Sequence, residues 1–289
     1  MYIRIITSMV FKFLLVSLGI ILLSSLIGLF TGGIHLDLMQ YLKNVIRVLS
    51  SFVHYKDLTI TNSSNNTYSM FPAFWGPYFY SVIIFLCAVI LSITIGLSLA
   101  FIAYILPRKW SNPLLKICSI VEAIPDLFIL IVIQYSVIFI LNETGYYIFP
   151  IVGAQEKVYF VPIVTLAILP SILLFRITYM LIHNELNQTY VLLVQSKGFS
   201  KSYIFFVHIL RNISFSLLNH SKSIILFILS SLIVFERLFN IYGITHFVTS
   251  FPQMEVISFS LILFYLPVFT CLCVARIIIE RSTGQKVVV

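Results

Sequence analysis

Residues 79–106 have the sequence FYSVIIFLCAVILSITIGLSLAFIAYIL, which contains no charged side chain. The hydrocarbon core of a bilayer is about 30 Å thick, and a helix needs about 20 apolar residues to cross it. A run of this length and composition is therefore typical of a membrane-spanning helix. Five further segments share this character, and together they predict six spans, at about 8–30, 79–106, 117–141, 158–181, 213–235 and 256–279.

The composition of the whole chain agrees with a membrane protein. Of its 289 residues, 60% are hydrophobic and only 10% are charged, and the mean hydropathy is +1.05. A soluble domain carries about 25% charged residues, so a soluble enzyme and a disordered chain are both excluded. The net charge is +8. The positive side chains lie singly between apolar segments, which favours cytoplasmic loops over a nucleic-acid-binding surface.

The positions of the basic residues predict the orientation of the spans. With the N-terminus inside, thirteen of the eighteen Lys and Arg residues fall on the cytoplasmic side and five on the other. Basic residues are enriched in the cytoplasmic loops of membrane proteins. We therefore expect a multi-pass protein with both termini in the cytoplasm, which agrees with an even number of spans.

The spans divide the chain into three predicted parts. These are a first spanning helix in residues 1–30, an extracytoplasmic loop in 31–78 and a five-span core in 79–289. An amphipathic helix on the outer interface is predicted within the loop, because apolar residues recur there at helical spacing: Leu38, Leu42, Val45, Ile46 and Leu49. Residues 59–69 are rich in Ser, Asn and Thr, and a flexible loop is predicted for them.

One long cytoplasmic loop, residues 182–212, interrupts the core. A short helix capped near Asn184 and ended by Gly198 is predicted, followed by a second helix that runs from about Lys201 into the fifth span. A short helix held between two membrane helices is a rigid lever that a docked partner can push. The alternative is an ordinary connecting hairpin.

Several motifs occur in a fixed order along the chain. They are Leu36-Asp37-Leu38-x-x-Tyr41-Leu42, Glu122-Ala123-Ile124-Pro125-Asp126-Leu127-Phe128, Glu185-Leu186-Asn187-Gln188-x-Tyr190, Ser196-Lys197-Gly198, His208-Ile209-Leu210-Arg211-Asn212, the segment 236–244 and Phe251-Pro252. In these motifs the chain resembles the permeases of binding-protein-dependent ABC importers, in particular the dipeptide/oligopeptide/nickel branch. The resemblance extends over nearly the whole chain.

The resemblance implies an all-α, type I ABC importer permease fold with a cytoplasmic coupling helix at about 185–198. It implies the following coupling residues: Glu185, Tyr190, Leu193, Val194, Gln195, Ser196, Lys197 and Gly198. Of these, Tyr190, Leu193, Val194 and Gln195 would enter a groove on the ATPase. Lys197 would meet an acidic edge of the ATPase, and Gly198 would end the helix.

The resemblance also implies partners and a location. The partners are a second, homologous permease, two cytoplasmic ATPases, an extracytoplasmic substrate-binding protein and the lipid bilayer, and they include no nucleic acid. ATP and magnesium would be bound by the ATPases, with no cofactor on this chain. The complex would import peptides, or a small metal chelate, across a bacterial inner membrane.

A few polar residues are predicted at membrane depth. Glu122 and Asp126 are four residues apart around Pro125, so they share one face of the third helix, and Gln134 follows two turns later. One interpretation is that these four residues line the inner part of the translocation pathway. Alternatively, the carboxylates are hydrated at the inner interface or pair with Lys116. For Gln134 a hydrogen bond to a neighbouring helix is the favoured interpretation.

Two other classes of function remain as alternatives, a self-contained channel or receptor and an intramembrane enzyme. The chain lacks the Gly-x-x-x-x-Gly-Lys-Ser/Thr phosphate loop, and Gly284-Gln285-Lys286 does not supply one. The motifs His-Glu-x-x-His and Gly-x-Ser-x-Gly are also absent. The six histidines are scattered, so their spacing predicts no metal site. A non-catalytic subunit is therefore expected.

Overall fold

The computed structural model of the chain describes residues 2–28, 37–61, 66–145, 150, 153 and 156–283. Leu36 and the Gly284-Gln285-Lys286 motif lie outside these residues. The described helices are α1 (Tyr2–Ser24), α2 (Leu38–Val53), α3 (Met70–Ile105), α4 (Arg108–Glu122), α5 (Asp126–Thr144), α6 (Phe160–Leu186), α7 (Thr189–Ser196), α8 (Lys201–Tyr203), α9 (Leu210–Leu238), α10 (Ile244–Ser250) and α11 (Met254–Thr283). Short 3₁₀ turns occupy Ser25–Gly28 and Tyr55–Asp57, and a π-helical turn at Ile204–Ile209 joins α8 to α9.

Among the described residues, six helices are long and apolar enough to cross a membrane. They are α1, α3, α5, α6, the continuous helix Lys201–Leu238 and α11. The prediction of an all-α protein with six spans is therefore confirmed. The prediction that the helix from about Lys201 runs into the fifth span is confirmed as well.

Two of the differences between the predicted and the observed bounds of the spans have a clear cause. Helix α3 begins at Met70 rather than at 79, because the aromatic residues before the apolar run are themselves helical. The segment 117–141 is divided between α4 and α5, with a break at residues 123–125. Pro125 has extended backbone angles, and a proline disfavours helical geometry in the residue before it, so the chain turns at this point.

The chain forms two compact units, Met1–Val82 with Tyr242–Cys273, and Ile83–Ile241 with Val274–Val289. In the first unit, strands β1 (Thr59–Thr61) and β2 (Thr67–Ser69) pair in an antiparallel hairpin. The prediction of a flexible loop over 59–69 is therefore wrong for these strands. The free edge of β1 is closed by the Gln253 amide, which donates to the Thr59 carbonyl at 3.0 Å and accepts from the Thr61 N–H at 3.3 Å.

Helix α2 is held to the start of α11 within the same unit. Arg47 and Glu255 form an ion pair at 2.6 Å, and the rings of Phe52 and Phe259 stack with centroids 3.9 Å apart. The apolar residues of α2 form an exposed stripe on one face, made of Leu38, Met39, Leu42, Ile46, Leu49 and Val53. Helix α2 lies in the segment for which an amphipathic helix is predicted, and its stripe suits the outer interface on which the prediction places it.

Helix α6 is the most buried span and packs chiefly against α9 in the second unit. It also approaches α3 closely. A Cβ atom on Gly96 would lie 2.9 Å from both the Leu174 Cβ and the Ser171 carbonyl oxygen. Ser92, one turn earlier, has its hydroxyl 3.3 Å from the Ala167 carbonyl oxygen. Small residues on the facing surfaces therefore allow the two backbones to approach, as is common between membrane helices.

Helix α9 ends in a Schellman motif. Asn240 has a φ of 50°, which is left-handed, and its N–H donates to the Arg237 carbonyl at 3.2 Å. The Ile241 N–H donates to the Glu236 carbonyl at 2.8 Å. This pair of hydrogen bonds satisfies carbonyl groups that a helix end otherwise leaves without partners. It gives the Glu236–Ile244 motif a structural role at the end of the fifth span.

Candidate functional site

Helix α7 is a short, sharply bounded helix between α6 and the long helix that begins with α8. It is preceded by the extended residue Gln188, and its last turn closes where the Gly198 N–H donates to the Gln195 carbonyl at 3.0 Å. Gly198 has a φ of 79°, a left-handed conformation that glycine adopts without steric cost. Ser200 caps the next helix by accepting the Tyr203 N–H at 3.3 Å.

One face of α7 is anchored in the second unit. Val191 is fully buried, in a hydrophobic cluster with Phe175, Phe205 and Ile209. Tyr190 and Val194 are partly buried and pack against the same cluster. Since α6, α7 and the π-helical turn all contribute to this cluster, α7 is fixed to the spans on both sides of it.

A polar contact strengthens this attachment. The Tyr190 hydroxyl donates a hydrogen bond to the Glu185 carboxylate, in the last turn of α6, and is also bonded by the Asn212 side chain of α9. Burial and the nearby Glu185 carboxylate raise the pKa of Tyr190 to about 12, so the phenol is protonated at neutral pH. Three helices therefore meet at one hydroxyl group.

The opposite face of α7 is apolar and exposed. Leu192 and Leu193 are 54% and 56% exposed. Beyond Gly198, the exposed rings of Phe199 and Tyr203 stack with centroids 4.8 Å apart. Leucine pairs of this kind are costly to leave in water, so this surface has the character of a docking site for another protein.

A second group of polar contacts joins α4 and α5 to their neighbours. Glu122 at the end of α4 forms an ion pair with Arg176 of α6 at 2.6 Å. Gln134 of α5 donates to the Leu238 carbonyl at 3.2 Å, at the end of α9.

Asp126 begins α5 and lies beside a very small cavity. Its carboxylate accepts a hydrogen bond from the Ser231 hydroxyl of α9 at 2.9 Å and from the Leu127 N–H at 2.9 Å. A negative charge is favourable at the N-terminus of a helix. The cavity has a volume of about 10 Å³, and Thr165 also lines it. This is about the room that one water molecule needs.

Residues 92–285 match the family model described as "Binding-protein-dependent transport system inner membrane component". The chain belongs to this family. No curated protein matches it in a direct comparison. The match covers α4–α11, and so includes α7 and the polar contacts of Asp126 and Gln134 in α5. The chain is a multi-pass inner-membrane permease of an ABC transport system, with a type I permease fold, and such systems also contain a substrate-binding protein and ATPase subunits.

The residues predicted to couple the permease to its ATPase differ in their exposure in the structure. Leu193, Gln195, Ser196, Lys197 and Gly198 are exposed. Tyr190 and Val194, which were expected to enter an ATPase groove, instead pack against the permease itself. Glu185 belongs to α6 rather than to α7, which spans Thr189–Ser196. Leu192 was not predicted, because in an eight-residue helix the apolar pattern alone does not show which face is buried.

The polar residues of α4 and α5 also have partners that the sequence did not indicate. Glu122 pairs with Arg176, and the alternative of a pair with Lys116 is wrong. The predicted hydrogen bond from Gln134 to a neighbouring helix is confirmed. Pro125 stands just before α5 and fixes the start of that helix. Within the described part of the permease, no three His, Cys, Asp or Glu side chains come together as a metal site requires.

We expect the substitution Tyr190→Phe to loosen α7. A hydrogen bond to a charged group contributes about 1.5–3 kcal/mol, and the lower end applies to this partly exposed pair. Hydrogen exchange of the α7 amides, measured in nanodiscs at pH 7, should therefore become about tenfold faster. The control is Tyr203→Phe, which removes an exposed hydroxyl from the same loop.

Because the pKa of Tyr190 is raised from 10.0, the stabilisation is present below pH 10 and is lost as the pH rises towards 12. Unchanged exchange in Tyr190→Phe at pH 7 would show that this contact does not hold α7.

Proposed function

We propose that the chain is the permease subunit of an ABC importer that moves peptides, or a small metal chelate, into the cell. In this proposal α7 is the coupling helix, and both termini are cytoplasmic. A second, homologous permease completes the membrane part, and two ATPases bind ATP and magnesium on the cytoplasmic face.

The observation that carries this proposal is the two-sided character of α7. Its inner face is fixed by Val191 and by the Tyr190 hydroxyl, so that a force on the helix reaches the spans. Its outer face offers Leu192 and Leu193 to a partner. An ordinary connecting hairpin needs neither a rigid attachment nor an exposed leucine pair.

Transport follows from moving this helix. ATP binding closes the two ATPases and draws the coupling helices of the two permeases together. Because α8, the π-helical turn and α9 form one continuous helix, the movement of α7 is transmitted along the fifth span. The bundle then alternates between inward-open and outward-open states, as in alternating access generally.

The polar contacts of α4 and α5 are proposed to line the inner part of the pathway. Glu122, Pro125, Asp126 and Gln134 lie where α4 and α5 meet α6 and α9. Intramembrane carboxylates are costly unless they face a cavity or a partner. Contacts such as Glu122–Arg176 and Asp126–Ser231 are suited to opening and closing as these helices separate and approach.

The test is reconstitution of the whole system. The permease is co-expressed with the ATPase, permease and binding-protein genes that neighbour its own, and the purified complex is placed in proteoliposomes. ATP-dependent uptake is then measured for a mixture of labelled di- to pentapeptides and, separately, for chelated nickel. We expect peptide uptake that requires the binding protein. Uptake of nickel without uptake of any peptide would show that the substrate is the metal chelate. A stable permease that conducts ions without any ATPase would contradict the proposal of an importer.

A further inference from the structure

Helix α4 has three distinct faces. The first packs on the permease, and it consists of Ser111, Leu114, Leu115, Cys118 and Val121. The second is apolar but exposed, with Trp110, Ile117 and Ile120 at 63%, 59% and 65% exposure. The third is polar and exposed, and it consists of Lys109, Asn112, Lys116 and Ser119. The residues of each face recur at helical spacing.

The position of α4 in the chain restricts what can cover its apolar face. It begins at Arg108, directly after the span α3 ends at Ile105, and it is followed by the span α5. Helix α4 is not itself among the six candidate spans. An amphipathic helix joined to spans at both ends is held near a membrane surface, where its apolar face can enter the lipid.

The charges favour lipid over protein as the occupant. Lys109 and Lys116 are seven residues apart, so their backbones are about 10 Å apart along one face of the helix. In the described part of the chain neither lysine has a carboxylate within ion-pair distance. Glu122, the acidic residue at the end of the same helix, is paired with Arg176 instead. Lysine is depleted in protein–protein interfaces. A tryptophan flanked by lysines is instead typical of the membrane interface.

We infer that α4 is a binding surface for anionic phospholipid, with Trp110, Ile117 and Ile120 in the acyl region and Lys109 and Lys116 on the headgroup phosphates. The chemistry is that of an anionic lipid such as phosphatidylglycerol. A basic residue near an anionic membrane surface favours binding by about fivefold, so the two lysines together contribute up to about thirtyfold at low ionic strength.

The test uses the fluorescence of Trp110. The chain contains two tryptophans, so Trp75→Phe leaves Trp110 as the only one. The full complex is reconstituted in phosphatidylcholine, and quenching is compared when brominated phosphatidylglycerol or brominated phosphatidylcholine is added. The signal of the same complex carrying Trp75→Phe with Trp110→Phe is subtracted, because the other subunits contribute their own tryptophans. We expect at least a fivefold preference for the anionic lipid, reduced at high salt because exposed charges are screened.

The lysines are tested by a matched pair of double variants. Lys109→Gln with Lys116→Gln should abolish the preference while lipid quenching persists, since the apolar face is unchanged. Lys43→Gln with Lys56→Gln removes the same charge from exposed positions in the predicted outer loop. This control variant should retain the preference for the anionic lipid. Equal quenching by both lipids, or a preference that survives the first double variant, would overturn the inference. Absence of quenching by either lipid would also overturn it, and would point to a second permease covering α4.

Discussion

Leu192→Asp combined with Leu193→Asp is expected to abolish stable binding of the ATPase subunits. Both side chains are more than half exposed in the permease alone, so their replacement leaves its own packing intact. Burying one leucine contributes about 1.5–3 kcal/mol, and two carboxylates in the same groove add a desolvation cost. We therefore expect binding at least a thousandfold weaker, on the scale of about tenfold per 1.4 kcal/mol.

The measurement is co-purification of the ATPase with tagged permease, together with the ATPase rate in nanodiscs. A control must carry the same added charge, and Asn184→Asp with Gln188→Asp provides it at exposed positions of the same loop. The control should retain the ATPase. If the Leu192/Leu193 variant still co-purifies in full amount, α7 is not the docking helix, whatever the substrate proves to be.

Arg176→Leu is expected to destabilise the permease because it leaves Glu122 without its ion-pair partner. An uncompensated charge costs about 2.5–3.5 kcal/mol on insertion scales at the centre of a membrane helix, and this value is the upper limit for Glu122 at the end of α4. The neutral double variant Glu122→Leu with Arg176→Leu should recover most of this loss, since removing both charges leaves none unpaired.

The measurement is the midpoint temperature of thermal unfolding in nanodiscs. We expect the midpoint of the single variant to be several degrees below those of wild type and of the double variant. Comparison of the single and the double variant also tests whether Glu122, at the end of α4, is exposed to water. If Glu122 is hydrated at the inner interface, the ion pair contributes at most about 1 kcal/mol and the single variant matches the double one. That result would remove Glu122 from the proposed pathway.

The number of spans could be predicted from the sequence because each one is a long apolar run. The start of α3 could not, since Phe71, Phe74 and Trp75 are equally compatible with an interfacial loop and with a helix. Their rings pack on one another and Phe74 packs on Phe247, far away in the chain. Such long-range contacts decide the boundary and leave no local signal.

The hairpin and the Glu122–Arg176 contact were missed for related reasons. Three-residue strands are too short for alternation to be visible, and β1 is completed by Gln253, almost 200 positions later in the chain. Glu122 and Arg176 are 54 residues apart, so no spacing rule joins them. The break before α5 did leave a signal in Pro125, because proline restricts the residue that precedes it.

The continuous helix Lys201–Leu238 has a consequence for the reach of the transporter. Its 38 residues extend for about 57 Å at 1.5 Å per residue. A rod of this length that pivots by about 10° at the end next to α7 displaces its far end sideways by about 10 Å. A small tilt imposed on the rod next to α7 is thus amplified into a large displacement at the opposite end. A displacement of this size requires no bending along the rod.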